Sequence, residues 1–124
     1  MRRPHGTLTT QELAIMKVIW RLGSATVREV YEALRENRRV AYTTVMTMMN
    51  ILESKGYLRK DKDERAFRYR PARAEQATIS SMVSEFVDRV FDGASRPLLL
   101  HLVKTGKLSE KERAELVKLM KEGE

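Results

Sequence analysis

Hydrophobic positions recur every three or four residues through most of the chain, so the pattern predicts helices joined by short links. Capping boxes, Thr9 with Glu12 and Thr26 with Glu29, begin the first two helices. The first is apolar on most sides and is predicted to be the central helix of the core, whereas the second is apolar on one side only. A third helix covers about residues 42–55. Three short helices therefore precede residue 56.

The spacing of apolar residues changes from three or four to two after the third helix. Phe67 and Tyr69 alternate with Arg68 and Arg70, which is typical of a half-buried strand. The charged residues 63–65 form a turn that joins this strand to an earlier one. Three helices followed by a hairpin predict a mainly α fold with a small β-hairpin wing, a winged helix-turn-helix over residues 8–73. Residues 1–7 read as a flexible tail.

A second helical region is predicted over residues 74–124, where three further helices carry broad apolar faces. Pro97 is predicted to begin the second of these helices, and a capping box of Ser109 with Glu112 to begin the last. The segment is too short to enclose these side chains by itself, so it needs a partner surface. We predict a homodimer, and the alternative is that these helices fold back on their own winged-helix domain. The residues predicted for the dimer interface are Phe86, Val90, Phe91, Leu98, Leu99, Leu102, Val103, Leu116 and Met120.

One face of the predicted third helix carries no charge, although 33% of the chain is charged. Thr43, Thr47, Asn50 and Ser54 lie opposite the apolar stripe of this helix, with Met46 at the rim. Asparagine can bond the adenine edge through two atoms, and threonine offers a hydroxyl and a methyl group. This face is predicted to read base pairs in a DNA groove. The alternative is a helix face that packs against another part of the protein.

Positive charge is concentrated in the same half of the chain. Residues 1–73 carry a net charge of +8 and residues 74–124 a net charge of −1, which gives the +7 of the whole chain. Such a charge favours an anionic partner, and phosphates fit a basic hairpin. The predicted phosphate contacts are Arg38, Arg39, Arg59, Lys60, Lys62, Arg65, Arg68 and Arg70. Alternatively, these cations are solvated and pair with Asp61, Asp63 and Glu64.

Composition argues against catalysis and cofactors. The chain has no cysteine, which fits a reducing cytoplasm, and no apolar stretch reaches the length of a membrane span. His5 and His101 are the only histidines and have no second ligand nearby in sequence, so we expect no metal, no cofactor and no enzyme activity. Three alternatives stay open: a nonspecific architectural DNA-binding protein, a protein-interaction module, and a small nuclease with metal at the hairpin carboxylates.

Four segments resemble the BlaI/MecI/CopY family of bacterial repressors. They are residues 12–20 (ELAIMKVIW), 42–47 (YTTVMT), 55–58 (KGYL) and 65–71 (RAFRYRP). The resemblance implies a winged-helix repressor that dimerises through its C-terminal helices and binds an inverted-repeat operator in double-stranded DNA. It implies base contacts from Thr43, Thr44, Met46 and Thr47.

The resemblance also implies a mode of release. In the antibiotic-resistance branches of the family, a membrane-bound sensor metalloprotease triggers cleavage of the repressor at an Asn-Phe bond. The aligned pair in this chain is His101-Leu102, which departs from that pattern but marks the candidate cleavage site. The copper-sensing branch ends in paired cysteines, and this chain has none.

Overall fold

The computed structural model describes residues 8–63 and 65–122 and contains six helices and one two-stranded sheet within them. The predicted tail 1–7, with His5, and the turn residue Glu64 lie outside the described residues. The elements are α1 (Thr10–Leu22), α2 (Val27–Arg35), α3 (Tyr42–Ser54), β1 (Leu58–Asp63), β2 (Ala66–Pro71), α4 (Glu75–Phe91), α5 (Ser95–Lys104) and α6 (Glu110–Glu122).

Both predicted capping boxes at the start of the chain are confirmed. The Glu12 amide donates to Thr9 Oγ1 at 3.1 Å, and the Thr9 amide donates to Glu12 Oε1 at 2.9 Å. Thr26 and Glu29 make the same reciprocal pair at 2.9 and 3.1 Å. Gly23 ends α1 with φ of 88°, a backbone conformation that side chains with a Cβ rarely adopt. Local sequence therefore fixes where α1 and α2 begin.

The core of the first part of the chain lies between α1, α2 and α3, as the apolar stripes predicted. Its fully buried side chains, with less than 2% of their surface exposed, come from all three helices. They are Ile15, Met16, Ile19, Val30, Val45, Met49 and Leu52. Leu58 of β1 and Tyr69 of β2 are also buried, which places the base of the hairpin against this core.

The hairpin pairs β1 with β2 antiparallel, with Lys60 opposite Tyr69 and Lys62 opposite Phe67. Tyr69 also makes two backbone hydrogen bonds with Ala25, of 2.8 and 2.9 Å, which attach β2 to the α1–α2 loop. The prediction that Phe67 and Tyr69 share a half-buried face is only half right. Tyr69 is 2% exposed, but Phe67 is 47% exposed and lies beneath the Lys60 ammonium, 4.8 Å from its ring centre.

The chain divides into two compact units, one up to Met82 and one from Val83. The sequence placed this boundary earlier, between residues 73 and 74. The start of α4 belongs with the first unit because Thr78 is buried there and Met82 packs against its core. The linker before α4 is held within the first unit by the Trp20 indole, which donates to the Arg73 carbonyl at 2.9 Å.

The second unit consists of the end of α4 with α5 and α6. The predicted capping box of Ser109 and Glu112 is confirmed by hydrogen bonds of 2.9 and 3.1 Å. Helix α5 begins at Ser95 rather than at Pro97, because a proline is tolerated in the first turn, where backbone amides lack helical partners. No residue of α5 or α6 is buried. Across the described residues, no helix combines the length and the apolar character needed to cross a bilayer.

Candidate nucleic-acid interface

Helix α3 presents an exposed surface that carries no charged side chain at its centre. Thr43, Thr44 and Thr47 are exposed on it, and Met46 is 39% exposed. The buried positions Val45, Met49 and Leu52 hold the opposite side of the helix against the core. These four exposed residues are the ones on which the family resemblance placed base contacts. The threonine hydroxyls can donate and accept hydrogen bonds, and all four side chains offer methyl groups, which suits contact with base edges in a major groove.

Asn50 differs from its neighbours on α3 because it is half-buried beneath the hairpin. Its Oδ1 accepts a hydrogen bond from the Tyr69 hydroxyl at 2.9 Å and another from Lys60 Nζ at 3.1 Å. Four of the five predicted base-contacting residues thus lie on an exposed surface. The fifth, Asn50, is half-buried and hydrogen-bonded to the hairpin. Direct contact of Asn50 with bases stays a prediction.

Several predicted phosphate contacts are exposed around this face. Arg38 and Arg39 are exposed in the link before α3, and Arg59, Lys62 and Arg65 are exposed on the hairpin. Across residues 8–63 and 65–122, no ion pair joins Arg38, Arg39 or Arg59 to a carboxylate. These guanidinium groups can bind an external anion without first breaking an internal contact.

Other cations of the hairpin already have partners in the protein. Arg68 Nη1 lies 3.3 Å from Glu29 Oε1 and 3.2 Å from Ser24 Oγ, so it braces β2 against the start of α2. Arg70 Nε donates to Asp61 Oδ2 at 2.8 Å. The sequence offered pairing with the hairpin carboxylates as the alternative to phosphate binding. Arg70 makes such a pair with Asp61, whereas Arg68 pairs with Glu29 of α2 instead. Their phosphate contacts stay predictions that require an exchange of partners.

A cluster of aromatic rings and cations at the start of α3 escaped the sequence reasoning. The rings of Tyr31 and Tyr42 meet edge to face with centres 5.4 Å apart. The Arg28 guanidinium lies 5.4 Å from the centre of the Tyr42 ring, and Arg35 lies 5.2 Å from that of Tyr31. The contact between Tyr31 and Arg35 was predictable from their i, i+4 spacing on α2, whereas the contacts with Tyr42 were not. The cluster adds positive charge beside the exposed, uncharged face of α3.

The predicted dimer residues fall on α4, α5 and α6 of the second unit. Phe86, Val90 and Met120 are exposed, and the other six are half-buried. Four further apolar residues of these helices, which are not among the nine predicted for the interface, are more than two-fifths exposed. They are Val83, Leu100, Val117 and Leu119. The exposed apolar surface of the second unit therefore extends beyond the nine residues predicted for the interface.

An apolar cavity of about 430 Å³ opens between α5 and α6. Its walls are formed by Arg96, Leu99, Leu100, Val103, Leu116 and Met120. The candidate cleavage pair His101-Leu102 lies on α5 within regular helix, and the His101 carbonyl accepts a hydrogen bond from the Thr105 amide at 3.0 Å. Cleavage at this bond stays a prediction.

The carboxylates considered for a nuclease give little support to a metal site. Asp61 is paired with Arg70, and Glu64 lies outside the described residues. In the part of the chain that the structure describes, no three histidine or carboxylate side chains gather closely enough to hold a metal ion.

Three helices around one core, a hairpin packed against the third helix and an uncharged helix face surrounded by cations define a winged-helix DNA-binding protein. The family model described as penicillinase repressor matches residues 8–122. The chain belongs to this family.

Known relatives agree with that assignment. A transcriptional regulator BlaI of Mycobacterium tuberculosis is 36% identical over 94 residues, which is 74% of this chain and 68% of that protein. The penicillinase repressor of Bacillus licheniformis is 30% identical over 115 residues, covering 93% and 90% of the two chains.

Solved structures also match about three-fifths of the chain. The DNA-binding domain of the repressor BlaI superposes with a TM-score of 0.53 at 34% identity, over 60% of this chain and 90% of that chain. The monomeric form of Bacillus licheniformis BlaI in complex with the blaP half-operator gives 0.52 at 33% identity, over 61% and 92%. The predicted fold class and family are confirmed.

Proposed function

We propose that this protein is a transcriptional repressor of the cytoplasm that binds a specific inverted-repeat operator in double-stranded DNA as a homodimer. The observation that carries the proposal is the exposed, uncharged surface of α3, formed by Thr43, Thr44, Met46 and Thr47, with free arginines beside it. A solved relative, 33% identical in sequence, is in complex with a half-operator, which supports operator binding by this chain. The function requires binding and no catalysis.

We assign recognition of the DNA bases and binding of the DNA phosphates to different residues. Threonine methyl groups and the Met46 side chain can contact thymine methyls, and the threonine hydroxyls can bond base edges. Arg38, Arg39, Arg59, Lys62 and Arg65 are the candidates for phosphate contacts, which fix register but carry no sequence information. Lys60, Arg68 and Arg70 would join them only by leaving their internal partners.

The homodimer is supported by the second unit, whose helices α5 and α6 have no buried residue. Phe86, Val90, Leu119 and Met120 are at least two-fifths exposed on α4 and α6. Water disfavours so much exposed apolar area, and a second copy of the same helices offers a matching surface. Two joined winged-helix units would then read two half-sites of an inverted repeat.

The proposed specificity is tested by selecting duplexes from a random pool with the whole protein. We expect the selected duplex to bind at least about 1,000-fold more tightly than a random duplex at about 0.15 M salt. Thr47→Ala should reduce this ratio by about tenfold or more at one base pair of each half-site, because its hydroxyl and methyl are lost. Titration by fluorescence anisotropy measures both ratios.

Equal affinity for selected and random duplexes would contradict the proposal. That result would favour the architectural alternative, in which shape and charge alone drive binding. Thr10→Ala is the matched control, since it makes the same substitution at an exposed residue of α1, outside the predicted reading face.

The role of the free arginines is tested by the salt dependence of binding. Arg59→Ala should lower the slope of log affinity against log salt by about 1 for selected and random duplexes alike. Arg113→Ala removes the same charge from an exposed residue of α6 that pairs with Glu110. This control should leave the slope unchanged. A slope unaltered by Arg59→Ala would remove Arg59 from the phosphate contacts.

Regulated proteolysis is the proposed route of release, with a sensor protease as the proposed partner. Cleavage between His101 and Leu102 would separate α6 and the end of α5 from the rest of the second unit. The bond lies in a helix, whereas proteases prefer exposed, irregular segments, so α5 has to open locally before it is cut.

A further inference from the structure

We infer that Asn50 is a positioning residue that fixes the hairpin wing to the reading helix through Tyr69, rather than a residue that reads bases. The inference rests on the proposed operator binding and assigns a role to the one predicted base contact that lies beneath the hairpin. Its basis is the pair of hydrogen bonds that Asn50 Oδ1 accepts, from the Tyr69 hydroxyl at 2.9 Å and from Lys60 Nζ at 3.1 Å.

Each strand of the hairpin supplies one donor to this carbonyl. Lys60 lies on β1 and Tyr69 is its antiparallel partner on β2. A single acceptor on α3 thus holds both strands at one point, which fixes the distance of the wing from the reading face. The Lys60 ammonium is also held over the rings of Phe67 at 4.8 Å and Tyr69 at 5.8 Å.

Tyr69 is suited to transmit this constraint because it is bound at both ends. Its backbone pairs with Ala25 in the α1–α2 loop, and its hydroxyl reaches Asn50 on α3. Burial, and then the charge of Glu53, raise the pKa of the Tyr69 hydroxyl above its usual 10, so the group stays a donor at neutral pH. With 2% of its surface exposed, Tyr69 cannot itself contact DNA.

These two hydrogen bonds occupy both lone pairs of the Asn50 side-chain carbonyl oxygen. Bidentate recognition of adenine uses the carbonyl and the amide of asparagine together. Reading adenine would therefore require Asn50 to release Tyr69 and Lys60 and leave a buried hydroxyl without its partner, which is unfavourable. The wing carries Arg59, Lys62 and Arg65, so holding the wing in place affects phosphate contacts and not base preference.

The test compares Asn50→Leu, Tyr69→Phe and the double variant on the selected duplex and on a random duplex. A positioning role predicts that each single variant weakens binding to the selected and the random duplex by the same factor, about 3- to 10-fold. Tyr69→Phe removes one hydrogen bond and Asn50→Leu removes two. The salt slope should fall in both variants. The double variant should bind DNA no more weakly than Asn50→Leu, because both substitutions break the same hydrogen bond between Tyr69 and Asn50.

Tyr57→Phe is the matched control, since it removes a hydroxyl from another buried tyrosine, whose ring lies 4.7 Å from the Arg73 guanidinium. Measurements are made well below the melting temperature of every variant, so that loss of stability alone moves neither affinity nor slope. A change of preference at one base pair in Asn50→Leu, with Tyr69→Phe unaltered, would overturn the inference in favour of direct reading.

Two other outcomes would also overturn it: additive losses in the double variant, and unchanged affinity and slope in both single variants. Failure of the proposed function gives a different result. In that case the unsubstituted protein would bind selected and random duplexes equally, while the salt slopes of the variants would still report on the wing.

Discussion

Met120→Asp is expected to convert the proposed dimer to a monomer and to weaken binding to the full inverted repeat by about 100-fold. Met120 is 60% exposed on α6 and lines the apolar cavity with Leu99 and Val103, so a carboxylate there would be desolvated by a partner copy but not by its own chain. Binding to a duplex with a single half-site should be unchanged, because the reading helix is untouched. Sedimentation velocity and anisotropy titration measure the two effects.

Ala114→Asp adds the same charge to the same helix and serves as the control. Ala114 is exposed on α6 and does not line the cavity. At 100° per residue, Ala114 points away from Leu116, so this variant should stay dimeric. If Met120→Asp remained a dimer, or lost affinity equally for the half-site and the full repeat, the proposed interface on α5 and α6 would be wrong.

The elements of the fold were predictable because their signals are local. A capping box needs two residues three apart, so Thr9 with Glu12, and Ser109 with Glu112, could be recognised from the sequence alone. The apolar stripe of α3 was equally visible, because helical periodicity places Val45, Met49 and Leu52 on one side. The exposed threonines of the same helix follow from that stripe.

Side-chain partners distant in sequence were not predictable. Asn50 and Tyr69 are 19 residues apart, and Arg68 lies 39 residues from Glu29, so no spacing rule relates them. Period-two alternation gave Phe67 and Tyr69 the same environment, because it cannot tell which part of a hairpin meets a helix. For the same reason the sequence could not decide between phosphate binding and internal pairing for each hairpin cation, and the structure engages Lys60, Arg68 and Arg70 internally.

One pair that the sequence did not reveal connects the first helix with the reading helix. Lys55 Nζ, at the end of α3, lies 2.8 Å from Glu12 Oε2 in α1, and their side chains are 23% and 6% exposed. Glu12 Oε1 caps the Thr9 amide, so one buried carboxylate serves two elements. Burial raises the pKa of Glu12, but the hydrogen bond and charge of Lys55 and the hydrogen bonds with Thr9 lower it by a larger amount. The net result is a pKa below the usual 4.5.

Lys55→Met is expected to destabilise the protein by about 3 kcal/mol near neutral pH, because it leaves the Glu12 carboxylate buried without its counter-ion. Since the folded pKa of Glu12 is depressed, its contribution to stability is present above about pH 4.5 and is lost as the pH falls through the lower folded value. The difference between the original protein and Lys55→Met should therefore shrink on acidification. Urea unfolding at about pH 7 and about pH 3.5 measures it.

The double variant Glu12→Gln/Lys55→Met separates the charge from the packing. It removes both charges and keeps an amide oxygen that can accept from Thr9, so most of the lost stability should return. Its stability should also vary less with pH than that of Lys55→Met. A double variant as unstable as Lys55→Met at both pH values would show that the lysine acts through its packed methylene groups, and that the ion pair does not hold α3 against α1.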